Sequence, residues 1–323
     1  MHKSATSLIQ EIPSFLDYCE VEKGLSPLTT KNYHNFLKMF KQWLQDNKLN
    51  KIKPHELTSE QVWHYRLYLS RKKEARGHYL KKTTQNYYLI ALRALLAYFA
   101  DRDIQALPSD KIKLPKLTEK EKTIKFLSYE QIEKLMNIPD VTTKEGGRDR
   151  AILEVLFSTG MRVSELTSLN IRSFDIPAIT KGKYKTLEIS IAGKGGAVRT
   201  VYFSERALHW LGKYLQTRQL DLSPPLFISY SKNQPKDSER RLTARSVERL
   251  VRTYAARAGL PIDATPHTLR HSFATDLLEQ GADVRSVQEL LGHKNIVTTQ
   301  IYTHITNRRL RDIHQKFHRG NKK

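Results

Sequence analysis

The sequence predicts a mainly α protein with one small β-sheet, built as an N-terminal helical bundle followed by an α+β domain. Three observations predict it. Apolar residues recur at helical spacing through most of the chain. They alternate in strand fashion chiefly on the two sides of one glycine-rich turn, and a single proline- and charge-rich stretch interrupts the pattern. A length of 323 residues fits two domains, at roughly 100–200 residues each. The expected division is a helical domain over 1–105, a linker over 106–125 and a second domain over 126–323.

Taken in order, the first helix runs from about Ser7 to Glu22, with Leu8, Ile12, Phe15, Leu16 and Cys19 in phase, and Gly24 breaks it. Ser26-Pro27 opens a second, whose apolar face carries Tyr33, Phe36, Leu37, Phe40 and Leu44. Thr58 with Gln61 forms a capping box for a third holding Val62, Tyr65 and Leu69. Lys81 to Ala100 is a fourth, with Tyr88, Leu92, Leu95, Leu96 and Phe99. Pro108, Pro115 and the run Thr118-Glu-Lys-Glu-Lys-Thr123 mark the linker. Ser128 with Gln131 caps the next helix, and Asp149 to Thr159 is apolar enough for a buried one, stopped by Gly160. Ser164-Glu165-Leu166 opens another. Leu187, Ile189 and Ile191, then Val201 and Phe203, alternate around Gly193-Lys194-Gly195-Gly196, predicting a β-hairpin with a lysine at its tip. Helices are expected at Glu205–Leu220 and Thr243–Ala258, a short strand at Pro225–Tyr230, and a polar loop at Ser231–Arg241.

Charge narrows the partner. Lys and Arg total 55 against 33 Asp and Glu, a formal charge of +22. Such an excess opposes compaction and favours a polyanion, with nucleic acid first. Lys31, Lys38, Lys41, Arg71, Lys72, Lys73, Lys81, Lys82 and Arg93 lie on polar faces of the front helices. Each alone reads as solvated surface; together they suggest phosphate contacts. Hydrophobic residues make up 39%, enough for two modest cores. No apolar h-region opens the chain, and no lipidation signal or long apolar run favours a membrane. The single cysteine, Cys19, excludes an internal disulfide framework and a multi-cysteine zinc site, and reads as a small buried hydrophobe. The expected setting is cytoplasmic.

The chemistry concentrates in Thr265–His304. Thr265 is the N-cap and Pro266 the first residue of a helix on which His267 and Arg270 share a face near the N-terminus, where free N–H groups suit a phosphate. Gly281 and Gly292 stop two successive helices. His293 follows the second stop, and Tyr302 comes nine residues later in a third short helix. Two imidazoles, a guanidinium and a phenol are thereby delivered by consecutive short elements. The i,i+4 pair His267 and His271 also has zinc-helix spacing, but no carboxylate cluster accompanies it and Arg270 between the two repels a cation. His271 and His304 read better as packed or supporting residues. No metal and no cofactor is expected.

These residues resemble the tyrosine recombinase, or phage-integrase-like, family, and its Xer-type members above all. The resemblance is carried by Ser158-Thr-Gly-Met-Arg162-Val-Ser-Glu165-Leu, by His267-Thr-Leu-Arg270-His271, and by Leu291-Gly-His293 followed by Thr298-Thr299 and Tyr302-Thr-His304. Gly193-Lys194-Gly195 stands where the family has its lysine hairpin, and the resemblance spans essentially the whole chain. It implies a SAM-like core-binding domain followed by a catalytic domain. It implies that Tyr302 attacks a DNA phosphodiester to leave a 3′-phosphotyrosine and a free 5′-hydroxyl. Arg162 and Arg270 then clamp the phosphate, His293 donates to a non-bridging oxygen, His267 moves the phenolic proton, and Lys194 protonates the leaving oxygen. Glu165 is placed to orient Arg162 or His267.

Physical chemistry is consistent with those roles. A phenol, with a pKa of ~10, needs help to act as a nucleophile at neutral pH. Guanidinium groups on the non-bridging oxygens of a pentacoordinate transition state supply that help. The family resemblance further implies a tetramer on two double-stranded DNA sites, homomeric or shared with a related recombinase. A tail helix carrying Leu310, Ile313 and Phe317 would dock on the neighbouring protomer; packing on its own domain is the alternative. Chromosome-dimer resolution and mobile-element integration or excision both fit. The competing readings are a type IB topoisomerase-like relaxing enzyme and a DNA-binding protein with decayed chemistry. The complete set of residues argues against the second.

Overall fold

The computed structural model describes residues 1–74, 77–116, 125–193, 198–218, 224–231, 239–261 and 263–292. Lys194, His293, Tyr302, His304, the tail helix and most of the Ser231–Arg241 loop lie outside the described residues, as does 117–124 of the expected linker. The described residues are mostly helical with one two-stranded sheet, and the chain divides into two compact units, Met1–Lys122 and Thr123–Lys323.

Among the described residues the first unit has four α-helices: α1 (Leu8–Val21), α2 (Pro27–Asp46), α3 (Ser59–Arg71) and α4 (Lys82–Asp101). Their caps follow from the sequence. Ser26 and Thr58 accept backbone N–H groups at the starts of α2 and α3, and Pro27 sits in the first turn where no N–H is required. The in-phase residues close one core around Leu8, Phe15, Leu37, Phe40, Tyr65, Leu92 and Phe99, with Cys19 buried among them. Phe40, Trp43 and Tyr65 pack ring against ring, with centroids 4.9–5.9 Å apart. Ile112 is buried in the same core, and Ala106, Leu107 and Leu114 pack on it, so this proline-flanked stretch adheres to the bundle. Lys31, Lys38, Lys41, Arg71, Lys73, Lys81 and Lys82 are exposed, while Lys72 and Arg93 are half-buried.

The second unit begins with α5 (Tyr129–Met136), capped by Ser128, and α6 (Lys144–Thr159). Helix α6 starts five residues before the expected Asp149. Its first turns are charged yet buried: Arg148 pairs with Asp149, and Arg150 with Glu154. Paired charges can occupy a core that an apolar pattern alone would not reveal. Then come α7 (Val163–Ser168), the unanticipated short α8 (Ile176–Thr180), β1 (Thr186–Ala192), β2 (Val198–Ser204) and α9 (Glu205–Thr217). The chain ends, within the described residues, with α10 (Ala244–Arg257), α11 (Pro266–Gln280) and α12 (Val284–Leu291). Strands β1 and β2 pair antiparallel from Thr186↔Ser204 to Ala192↔Val198. The expected strand at Pro225–Tyr230 is instead an irregular segment, bent at Leu226 and Phe227, buried from Pro225 to Ile228 and held by isolated bridges, Asn170↔Pro225 and Ile228↔Arg241. Proline has no N–H to offer a ladder, and no neighbouring strand is aligned with this segment among the described residues. The core wraps α6 with residues from α5, α9, α10 and the hairpin, which leaves the C-terminus of α6 at the site.

Candidate active site

The site grows from the ends of two helices. Helix α6 closes on Gly160 at φ +57° and α12 on Gly292 at φ +66°, both left-handed, where a side chain is disfavoured. Gly160 also lacks room, because an added Cβ would lie 2.4 Å from Phe273 Cδ1 on α11. Each glycine turns the chain just before a residue with a proposed role, Arg162 in one case and His293 in the other.

Each residue of the first motif is placed by its neighbours. Ser158 accepts from Ser204 N at 2.7 Å and donates to Tyr202 O at 3.3 Å, which fastens the hairpin to α6. Thr159 donates to Val155 O, and Met161 is fully buried. Arg162 then caps α7 with its backbone, donating N–H to Glu165 Oε2 at 2.7 Å, while its Nη1 donates to Glu165 Oε1 at 3.0 Å. The Arg162 side chain keeps 31% of its surface exposed, whereas Glu165 keeps 4%. The guanidinium is thus held through one terminal nitrogen while the side chain stays partly open to solvent.

Arg270 is buried in α11, at 4% exposure. Its Nη1 donates to Gly160 O at 2.6 Å and its Nη2 to Leu291 O at 2.5 Å. Helix C-termini leave carbonyls without partners inside the helix and carry partial negative charge. One arginine therefore bridges the ends of α6 and α12, and it holds the turns leading to Arg162 and to His293 beside each other. His267 is exposed one turn earlier on α11, whose N-cap Thr265 accepts from Thr268 N. His271 is half-buried; burial, then the nearby His267 and Arg270, lower its pKa to about 4, so it is neutral near pH 7.

The sequence reading missed Arg199. Its Nη1 and Nη2 donate to Glu165 Oε1 and Oε2, both at 2.9 Å, in a two-pronged pair, and its Nε donates to Leu290 O at 3.2 Å. A signal was present. Strand alternation puts Arg199 on the row of Val201 and Phe203, opposite Ile191, so a cation faces the interior and needs a buried anion. Burial pushes the Glu165 carboxyl up, but hydrogen bonds from Arg199 and Arg162 N, together with the Arg199 charge, outweigh it and hold the carboxyl below its ordinary range. One carboxylate between two guanidinium groups leaves a positive charge over, and Arg270 adds another close by. Such a site attracts an anion. Among the described residues no group of three or more His, Cys, Asp or Glu side chains is arranged to hold a metal ion.

The structure thus pairs Arg162 with Glu165, ties Arg270 to the Gly160 carbonyl two residues before Arg162, and carries His267 on the helix of Arg270. Lys194, His293 and Tyr302 lie outside the described residues. Among those residues no helix is long and apolar enough to cross a membrane.

A model of the phage integrase family matches residues 125–309, and one of the phage integrase N-terminal SAM-like domain matches residues 12–103. Tyrosine recombinase XerC of Syntrophus aciditrophicus is 36% identical over 320 residues, covering 95% of this chain and 96% of that protein. Tyrosine recombinase XerD of Lacticaseibacillus casei is 35% identical over 312 residues, covering 95% and 98%. In fold, the chain is similar to the XerH site-specific recombinase in a pre-cleavage complex with its difH substrate, at a TM-score of 0.66 and 24% identity over 96% of this chain and 84% of that one. The chain belongs to the phage integrase family and is a tyrosine recombinase of the Xer type.

Proposed function

We propose that this chain cuts and rejoins double-stranded DNA at specific sites, using Tyr302 as nucleophile. The phenolic oxygen attacks the scissile phosphorus, a new P–O bond forms to Tyr302, and the bond from phosphorus to the 5′-oxygen breaks. His267 takes the phenolic proton and Lys194 delivers one to the departing 5′-oxygen. Arg162, Arg270 and His293 bear the charge on the non-bridging oxygens. Glu165 orients Arg162. Because one phosphate ester replaces another, the reverse step needs only a 5′-hydroxyl from the partner strand, and no nucleotide or metal enters.

The single observation that carries this reading is that Arg270 holds the carbonyls of Gly160 and Leu291, which ties the turn leading to Arg162 to the turn that comes just before His293 in the chain. The front bundle would grip DNA through its exposed lysines and Arg71, and the enzyme would work in the cytoplasm. A tetramer on two sites, joined through the tail helix, suits the recombinase reading; a lambda integrase tetramer on a Holliday junction is a relative by fold. Two assays test the proposal. A nicked suicide duplex should trap a covalent adduct with the native chain and none with Tyr302→Phe. A plasmid carrying two sites should exchange flanking DNA; relaxation without exchange would favour a topoisomerase.

A further inference from the structure

We infer that Arg199 is a positioning residue for strand cleavage, a strut that locks the lysine hairpin, the Arg162–Glu165 pair and the turn before His293 into one arrangement. The inference rests on the cleavage reading above. Three contacts carry it. The guanidinium fork holds both oxygens of Glu165, the same carboxylate that accepts from Arg162 N and Nη1. The Nε donates to Leu290 O, a carbonyl of the last turn of α12. The aliphatic stem packs so closely on Gly292 that an added Cβ there would lie 2.6 Å from Arg199 Cδ. Arg199 itself stands on β2, one residue inside the pair Ala192↔Val198, and Lys194 falls in the sequence between the two strands.

The role of Arg199 is not charge alone. A lysine would restore the positive charge, but its three N–H donors sit on one nitrogen, so it would not span both carboxylate oxygens and the Leu290 carbonyl together. The charged side chains facing Glu165 among the described residues are Arg162, from its own turn, and Arg199, from the hairpin. Losing the second lets Glu165 take up a proton at higher pH, which frees Arg162 to wander.

The test compares the native chain with Arg199→Lys and Arg199→Gln. It measures single-turnover cleavage of a nicked suicide duplex from pH 5 to 9, duplex binding by mobility shift, and thermal unfolding. Misplacing reacting groups by about 1 Å costs about a hundredfold in rate. The expected result is a cleavage loss of ten- to a hundredfold in both variants at pH 7. Binding should stay within about threefold and the melt should remain cooperative. The acid limb of the rate profile should move toward neutral pH, and adding Glu165→Gln should lower the rate little further, because both changes break one unit. Native-rate cleavage in Arg199→Lys overturns the inference. So does an equal loss at every pH, a multiplicative loss in the double variant, or failure of both variants to fold, since each makes Arg199 independent of the site or merely structural. Absence of an adduct with the native chain sinks the cleavage reading instead, so the two failures are distinguishable.

Discussion

Glu165 shows how one buried carboxylate can decide the behaviour of the site. It accepts four donors from Arg162 and Arg199 and is almost fully buried. Glu165→Gln keeps its shape and strands part of two positive charges, and breaking a buried pair costs about 3–5 kcal/mol. The lower end is expected here because Arg162 remains 31% exposed. The pH dependence has a definite sign. A carboxyl held below its unfolded value, ~4.3 for Glu, stabilises the fold above that value and loses the effect as pH falls through its folded pKa. The gap in urea midpoint between the native chain and Glu165→Gln should therefore be full at pH 7 and shrink below about pH 4; a constant gap would contradict the assignment. His271, with its pKa lowered to about 4, should show no imidazole titration by NMR between pH 8 and 5.5. A midpoint near 6.5 would mean that it is solvated. Gly160→Ala forces a left-handed residue against Phe273 and should cost roughly 2–4 kcal/mol, read as a lower Tm, from backbone strain plus overpacking.

At the scale of elements, what was legible depended on whether a segment's burial was apolar. The four front helices, the hairpin, and the glycine stops of α6, α11 and α12 follow from periodicity and caps that read directly off the chain. Ser158, Arg162, Glu165 and Arg270 were legible as a motif. The start of α6 was not, because Arg148, Asp149 and Arg150 are buried as ion pairs and look like surface in a pattern of apolar residues. Helix α8 is a five-residue turn begun by Asp175 and Pro177, too short to show a period. Arg199 escaped notice for a related reason: its strand shows two clear inward residues, Val201 and Phe203, and only the register reveals the arginine as the third. The α11 N-cap offers an element-scale prediction. Thr265→Ala should lower stability by about 1 kcal/mol, measured by chemical denaturation, with no change in the denaturant slope. No loss would mean that the cap hydrogen bond is replaced by solvent.

At the scale of the molecule, the net charge of +22 governs association. Proteins that neutralise about 6–10 phosphates lose ~10³–10⁵ in affinity between 50 and 200 mM salt. The chain should fall within that range on duplex DNA in a filter-binding or mobility-shift titration. Each front-bundle lysine that touches a phosphate should take about one from the salt slope when replaced by alanine. Affinity indifferent to salt would remove the electrostatic basis for a DNA partner.

The central claim is that Arg162 and Arg270 serve one phosphate during the chemical step. The most direct measurement is the single-turnover rate of covalent adduct formation on a nicked suicide duplex for Arg162→Ala and Arg270→Lys, with duplex affinity measured in parallel. Loss of a transition-state donor costs about 10²–10³ in rate. The account predicts a fall of at least about a hundredfold in each variant, with affinity within about threefold of the native chain. Adduct formation at the native rate in either folded variant would contradict it.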